Sequence, residues 1–267
     1  MKIDLKRWVT HFRNNQRDRA EPDWDAPLEI HGEARRHLVR SLEQFELGDG
    51  GGPAYLIGWN RERFLSQPGA RELVDLWFNE EAEHSRLVGG AAARFGGSPI
   101  DGHWSFSLFC GLRKFLGVGF ELRALLLTEI VSNVYYQMLL RHGGNDPALA
   151  QVCRLVIRDE TGHIAFHRAH LALNERLRPG PIWSGLFRCM GLAAGTVLWV
   201  NHRPALKALG ATDKEFYQQI WGDLGRFVSG LRSDRATGRA VSPPQRSQPI
   251  PPATAARSKS QPQGILA

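Results

Sequence analysis

The chain has 267 residues, 42% of them hydrophobic, enough to bury a sizeable core as one domain with residues left over for a tail. Its formal charge of +7 looks like a nucleic-acid signal, but six basic residues from Arg232 onward face Asp234 alone, so everything before them is nearly neutral. Those cations are diffuse and lack interleaved aromatics, which argues against specific nucleic-acid binding and leaves at most salt-sensitive phosphate contacts.

Residues 1–25 mix charges with Trp8, Phe12 and Trp24 and read as a short helix and arm packed on the body. Residues 26–231 then read as helices throughout. A first pattern starts near Leu28 to Glu33, runs through Leu38, Leu42, Phe45 and Leu47, meets GDGGGP at 48–53 and resumes over Ala54 to Leu65. A second spans Ala70 to Phe95 and is stopped by Gly96-Gly97-Ser98-Pro99. After a linker of some twenty residues, a long apolar helix runs from near Phe115 to His142. The turn Gly143-Gly144-Asn145-Asp146-Pro147 opens the next helix, Ala148 to Leu177, because proline suits the first helical position. Two more are expected near Trp183–Leu206 and Asp213–Leu231. The apolar run Gly191 to Val200 is half of what a bilayer span needs and reads as buried core, so no transmembrane segment is expected. Residues 232–267, rich in Pro, Ser, Ala and Arg, cannot bury a core and are expected to be disordered. Cys110, Cys153 and Cys189 lie far apart without CxxC spacing, and the charged start MKIDLKRWVTHFRNNQRDR lacks a signal peptide's apolar core. A cytoplasmic setting is expected.

Two of these helices carry Glu-x-x-His: Glu81-Ala82-Glu83-His84 and Glu160-Thr161-Gly162-His163. Residues three apart share a helix face, so each copy aims a carboxylate and an imidazole at one point. With 15 Glu and 10 His, chance alone gives roughly 0.6 such pairs, so a second copy on a second helix is informative. Between them Glu129 sits in LLLTEIVSNVYY, where a lone carboxylate is costly unless paired or bound to a cation. Glu129 and Glu160 lie equally far from the Gly144-Asn145 turn, and Asp49 and Glu81 equally far from Leu65 beside Ser66-Gln67-Pro68-Gly69. Two antiparallel hairpins would therefore bring their acids to one level, and the long 96–114 connection would dock one hairpin on the other as a single-crossover four-helix bundle. Carboxylates with one imidazole per metal suit iron or manganese.

Arg158-Asp159-Glu160-x-x-His163, together with the first Glu-x-x-His and the lone Glu129, resembles the ferritin-like di-iron carboxylate proteins. These include ribonucleotide reductase small subunits, acyl-carrier desaturases, tRNA-modifying hydroxylases and rubrerythrins. LEQFELGDGGG is similar to an uncharacterised bacterial branch that commonly reads FQLGES where this chain reads FELGDG. The resemblance covers roughly residues 28–175. It implies an all-α, ferritin-like four-helix bundle with one long crossover, flanked by extra N- and C-terminal helices. It also implies two iron ions, with manganese or a mixed Mn/Fe pair as alternatives, and chemistry with dioxygen or peroxide. Glu81 and Glu160 would bridge the metals, His84 and His163 would each bind one, and Glu129 would complete one shell. Asp159 would accept a hydrogen bond from the far nitrogen of a ligand imidazole, and Glu80 would mirror it. The family position that normally holds Glu is here Asp49, followed by three glycines and Pro53. Either Asp49 still reaches, or Glu46 one turn earlier replaces it, or the site is incomplete.

Trp77 and Tyr136 share ligand-bearing faces and could line a pocket or relay electrons, though aromatics at helical spacing are commonly plain core. His167 and His170 continue the Glu160 face, and His163 with His167 has the spacing of a helical zinc pair; a hydrogen-bonded histidine is the competing reading. Cys153 shares that face as a small hydrophobe. The expected function is a di-iron (or di-manganese) oxidoreductase that activates dioxygen to oxidise an unidentified, apolar small molecule, with a redox partner protein as donor and a homodimer as one assembly. The alternatives are iron handling or peroxide detoxification, or a helical scaffold with a degraded site.

Overall fold

The computed structural model describes residues 3–50, 69–107, 111, 118–173, 179–237 and 241–244, without the side chains of 49–50 and 118–123. Among the described residues the protein is all helical. Seven long helices are α1 (Leu5–Arg17), α2 (Gly32–Gly50), α3 (Ala70–Arg94), α4 (Val118–Gly143), α5 (Pro147–Ala172), α6 (Pro181–Leu209) and α7 (Asp213–Thr237). The expected helix over Ala54 to Leu65 lies outside the described residues, as do Cys110 and the expected helix start at Phe115.

Helix α2 runs antiparallel to α3: Arg35 donates to the Phe95 carbonyl, and Ser85 donates to that of Glu46. Helices α4 and α5 form a second antiparallel pair. Their turn is built as the sequence suggests, with Asp146 as N-cap accepting from the Leu149 amide and Pro147 in the first turn. Helix α3 packs on α5, while α6 lies across α2 and α4, and α7 covers α4, α5 and α6. The core between them is filled by Leu38, Leu42, Leu87, Leu126, Tyr135 and Val156, among others.

Helix α1 lies over α3 and α5. Its apolar positions Trp8, Val9 and Phe12 recur at helical spacing and bury against Leu73, Leu76 and Ala169. The approach to α5 depends on Gly162, inside the second motif: a Cβ there would stand 2.9 Å from His11 Nε2. So the arm expected from residues 1–25 packs directly over the site.

Two expectations need correction. The body does not end at 231, because α7 continues to Thr237: Arg232 donates to Ser184, Asp234 pairs with Arg168, and Arg235 donates to the carbonyls of Leu171 and Ala172. Composition read these charges as tail, whereas each has a fixed partner on α5 or α6. Val241 also packs against the α1 cluster. The second correction concerns Gly191 to Val200. Gly191, Gly195 and Trp199 face inward, but Val197 and Val200 are exposed, so the run is core on one side only.

Candidate metal centre

Glu80, Glu81 and His84 on α3, Glu129 on α4, and Asp159, Glu160 and His163 on α5 meet beneath α1. All are buried except Glu81, whose side chain is 22% exposed. The two imidazoles have the same arrangement. His84 Nε2 lies 3.2 Å from Asp159 Oδ2, and His163 Nε2 lies 3.0 Å from Glu80 Oε2, so each ring is tied to the acid that precedes the other motif. A carboxylate can only accept, so both rings carry their proton on Nε2 when neutral and turn the Nδ1 lone pair toward the middle.

In the middle the acids address both rings. Glu81 Oε2 is 3.7 Å from His84 Nδ1 while its Oε1 is 3.2 Å from His163 Nδ1. Glu160 does the same, with Oε1 at 3.9 Å from His84 Nδ1 and Oε2 at 3.6 Å from His163 Nδ1. Glu129 Oε2 lies 3.2 Å from His163 Nδ1 only. Ligand atoms from Glu81, Glu129 and His163 fall within 4.8 Å of one another, and so do those from Glu81, His84 and Glu160. Two donors bound about 2.1 Å from one ion and at right angles lie about 3 Å apart, so these separations suit a cation seated among them.

Acids outnumber guanidiniums in the cluster. Five carboxylates (Glu80, Glu81, Glu129, Asp159, Glu160) meet two guanidiniums, Arg19 at 2.6 Å and Arg158 at 2.8 Å, both on Asp159. Burial, and then the charge of Glu129, push the Glu160 carboxyl up to about 8. Burial disfavours a charged imidazole, but hydrogen bonds and charges from the surrounding acids outweigh it and hold His84 and His163 well above the ordinary value. Burial also raises Asp159, yet His84, Arg158 and Arg19 win and keep it well below the carboxylate range. His84 Nδ1 and Glu160 Oε2 are buried without a hydrogen-bond partner, both aimed into the cluster. The donor set, two overlapping groups of carboxylates and imidazoles, fits hard divalent cations, and among the described residues no thiolate takes part.

Of the remaining candidates, Trp77 is stacked on His163 at 4.0 Å between ring centroids and donates from Nε1 to Glu81 Oε1 at 3.1 Å. Tyr136 packs with Phe45 and Tyr135 as core. His167 sits edge-on to Trp77, and burial followed by the nearby His163 charge lowers it to about 3, so it is a neutral ring beside the centre. Cys153 is fully buried among apolar side chains. The side chain of Asp49 lies outside the described residues; the register of α2 against α3 brings position 49 level with Glu81 and Ala82. Glu46 is directed at Gly89, where a Cβ would meet Oε1 at 2.6 Å, and it is in neither ligand group.

Three contributors escaped the sequence reading as site residues. Arg19, its side chain 8% exposed, was one cation in a charged run. Ser132 reaches Glu160 Oε1 at 3.4 Å, and its one signal is the position a turn after Glu129. Phe12, read as packing alone, covers His163 at 5.7 Å. Comparison with protein-family models, curated proteins and solved structures found no match for the chain.

Proposed function

We propose that this chain is a ferritin-like two-metal carboxylate protein that holds two iron ions, or manganese in one or both places, and activates dioxygen to oxidise a small apolar molecule. In this reading α2, α3, α4 and α5 are the four-helix bundle and the segment from 95 to 117 is its crossover. One observation carries it: Glu81 and Glu160 each direct one oxygen at each imidazole, the placement expected of two carboxylates that bridge a pair of ions.

Bound iron would supply electrons and open coordination positions for dioxygen. The chain's own residues do the rest. His84 and His163 each present one Nδ1 lone pair, held in that tautomer by Asp159 and Glu80. Glu129 adds a carboxylate on the His163 side only, which makes the two positions unequal. Arg19 and Arg158 keep Asp159 an acceptor by neutralising it in a buried place. Phe12 and Trp77 cover His163 and keep water from that end of the cluster.

The test is anaerobic reconstitution with ferrous iron, metal analysis, and then oxygen exposure with consumption recorded. About two irons per chain are expected. Glu129→Ala together with Glu160→Ala should abolish most of that loading. Unchanged iron content in the double variant would sink the centre, and full loading with no oxygen uptake would remove the oxidase while leaving the metal site.

A further inference from the structure

Helix α6 contradicts the usual behaviour of an apolar helix. It is apolar nearly all round, which normally means burial on every side. Among the described residues it is the one helix long and apolar enough to cross a membrane, yet only 28% of its most apolar window is buried inside the fold. The inward side packs on α2, α4 and α7. The outward side carries Ile182, Leu186, Cys189, Ala193, Val197 and Val200, spaced three or four apart, all exposed. This unbroken apolar stripe runs about 27 Å along the axis at 1.5 Å per residue. Ile182 is 89% exposed and Leu186 59%. Beside the stripe stands Trp221 of α7, 49% exposed, with the Arg188 guanidinium 4.7 Å over its ring. Five of the six large apolar side chains exposed among the described residues thus belong to one face.

We propose that this face docks on an anionic lipid surface, with α6 lying flat in the interface and not spanning it. Charge selects this occupant. Helix α6 contains Arg188, Arg203 and Lys207 and no Asp or Glu, and the acids of adjoining α7 are engaged with cations of the protein: Asp213 with Lys207, Glu215 with Arg141, Asp223 with Arg226, Asp234 with Arg168. With Lys207 held by Asp213, the cations beside the stripe are Arg188 and Arg203; a second copy stacked there would bring these together, whereas anionic headgroups would be drawn to them. A helix with one apolar face outward, basic residues at its margin and a tryptophan at the boundary is the pattern that settles in a bilayer interface. The opposite side of α6 is fixed by the body, so insertion is limited to the outward residues. The proposal does not depend on the metal reading.

The experiment is co-sedimentation of the full, metal-free chain with vesicles of phosphatidylcholine alone or of equal parts phosphatidylcholine and phosphatidylglycerol, with light scattering of the free protein in parallel. Binding is expected to the mixed vesicles and at least about tenfold weaker to phosphatidylcholine. Leu186→Glu with Val197→Glu should reduce the bound fraction by about tenfold or more, with far-UV dichroism unchanged because both positions are exposed. Arg203→Glu should weaken binding to mixed vesicles alone. No binding to either vesicle, binding untouched by the double variant, or equal binding to both vesicles would each overturn the proposal. So would a dimer in solution that the double variant dissolves, which would assign the face to a second copy.

Discussion

Two buried charge clusters in this protein differ in whether they are closed. Arg94 and Asp146, with side chains 8% and 0% exposed, form one anion–cation pair at 2.9 Å. The guanidinium donates to both Asp146 oxygens and to the carbonyls of Trp24, Ala26 and Pro27, which uses all of its donors. The same carboxylate accepts from the amides of Leu149 and Glu29. Nothing is left over, and the result is a clamp joining the N-terminal arm to the ends of α3 and α5. The cluster beneath α1 is closed less completely: five carboxylates meet two guanidiniums and two imidazoles, and His84 Nδ1 and Glu160 Oε2 are buried without a hydrogen-bond partner. A charge buried for folding can be balanced by fixed partners; here the metal-free cluster balances itself by favouring protons on Glu160, His84 and His163, which a bound cation would displace.

The largest expected effect tests the closed cluster. Arg94→Met leaves Asp146 buried without its cation, and the cost should be about 3–5 kcal/mol of unfolding free energy, the same with or without iron. Urea unfolding monitored by circular dichroism measures it. Glu129→Gln should behave in the opposite sense. It removes one crowded carboxylate, so the metal-free protein is expected to keep or gain stability while metal content falls to one per chain or less. Equal destabilisation by both substitutions would erase the distinction between the clusters.

Next comes pH. Glu160 titrates near 8 in the folded protein against 4.5 as an ordinary glutamate, so between those values the folded state holds more protons than the unfolded one. The stability this group contributes to the metal-free protein is therefore fully present below about 4.5 and is lost as pH rises toward about 8, on the order of 1–4 kcal/mol, whereas the lowered Asp159 loses its contribution only at acid pH. The raised His84 and His163 act in the same direction above 6.5, since their protonated forms are favoured by folding. Glu160→Gln should make that decline shallower, leaving the part owed to the two imidazoles. Loading with iron should reverse it, because metal competes with these protons and binds better as pH rises.

Helix spacing and the paired motifs were legible because they are local: a three-residue interval fixes which side chains share a face. The crossed tie of each imidazole to the acid before the other motif was half legible, since Asp159 and Glu80 stand out by position while the crossing depends on how α3 and α5 pack. Arg19 was not legible, because its role comes from a partner 140 residues away. The outward face of α6 and the continuation of α7 to Thr237 failed for a related reason. Composition reports how apolar or charged a stretch is, and tertiary packing decides which side of it is covered.

Arg19 offers the next step down in magnitude. Arg19→Ala removes one of two cations from Asp159 and should cost about 1–3 kcal/mol. If the arginine positions the site as well as the fold, iron affinity falls too, and Arg19→Lys restores part of it. A stability loss with unchanged iron affinity would make Arg19 a tether for α1 and nothing more.

Trp77→Phe is the smallest change and the most discriminating. A phenyl ring keeps an aromatic face against His163 but loses the indole N–H donated to Glu81 Oε1 at 3.1 Å, a bond to a charged acceptor worth about 1–2 kcal/mol. In the metal-free protein that loss should appear as a modest drop in stability. In the loaded protein Glu81 has another partner for its oxygens, so the drop should shrink. Trp77 emission should also fall on iron binding, because the ring is stacked on a proposed ligand, and that component should vanish in the variant. Were the stability loss identical in both states and the quenching unchanged by Trp77→Phe, Glu81 would belong with Asp146 among the charges the fold satisfies by itself.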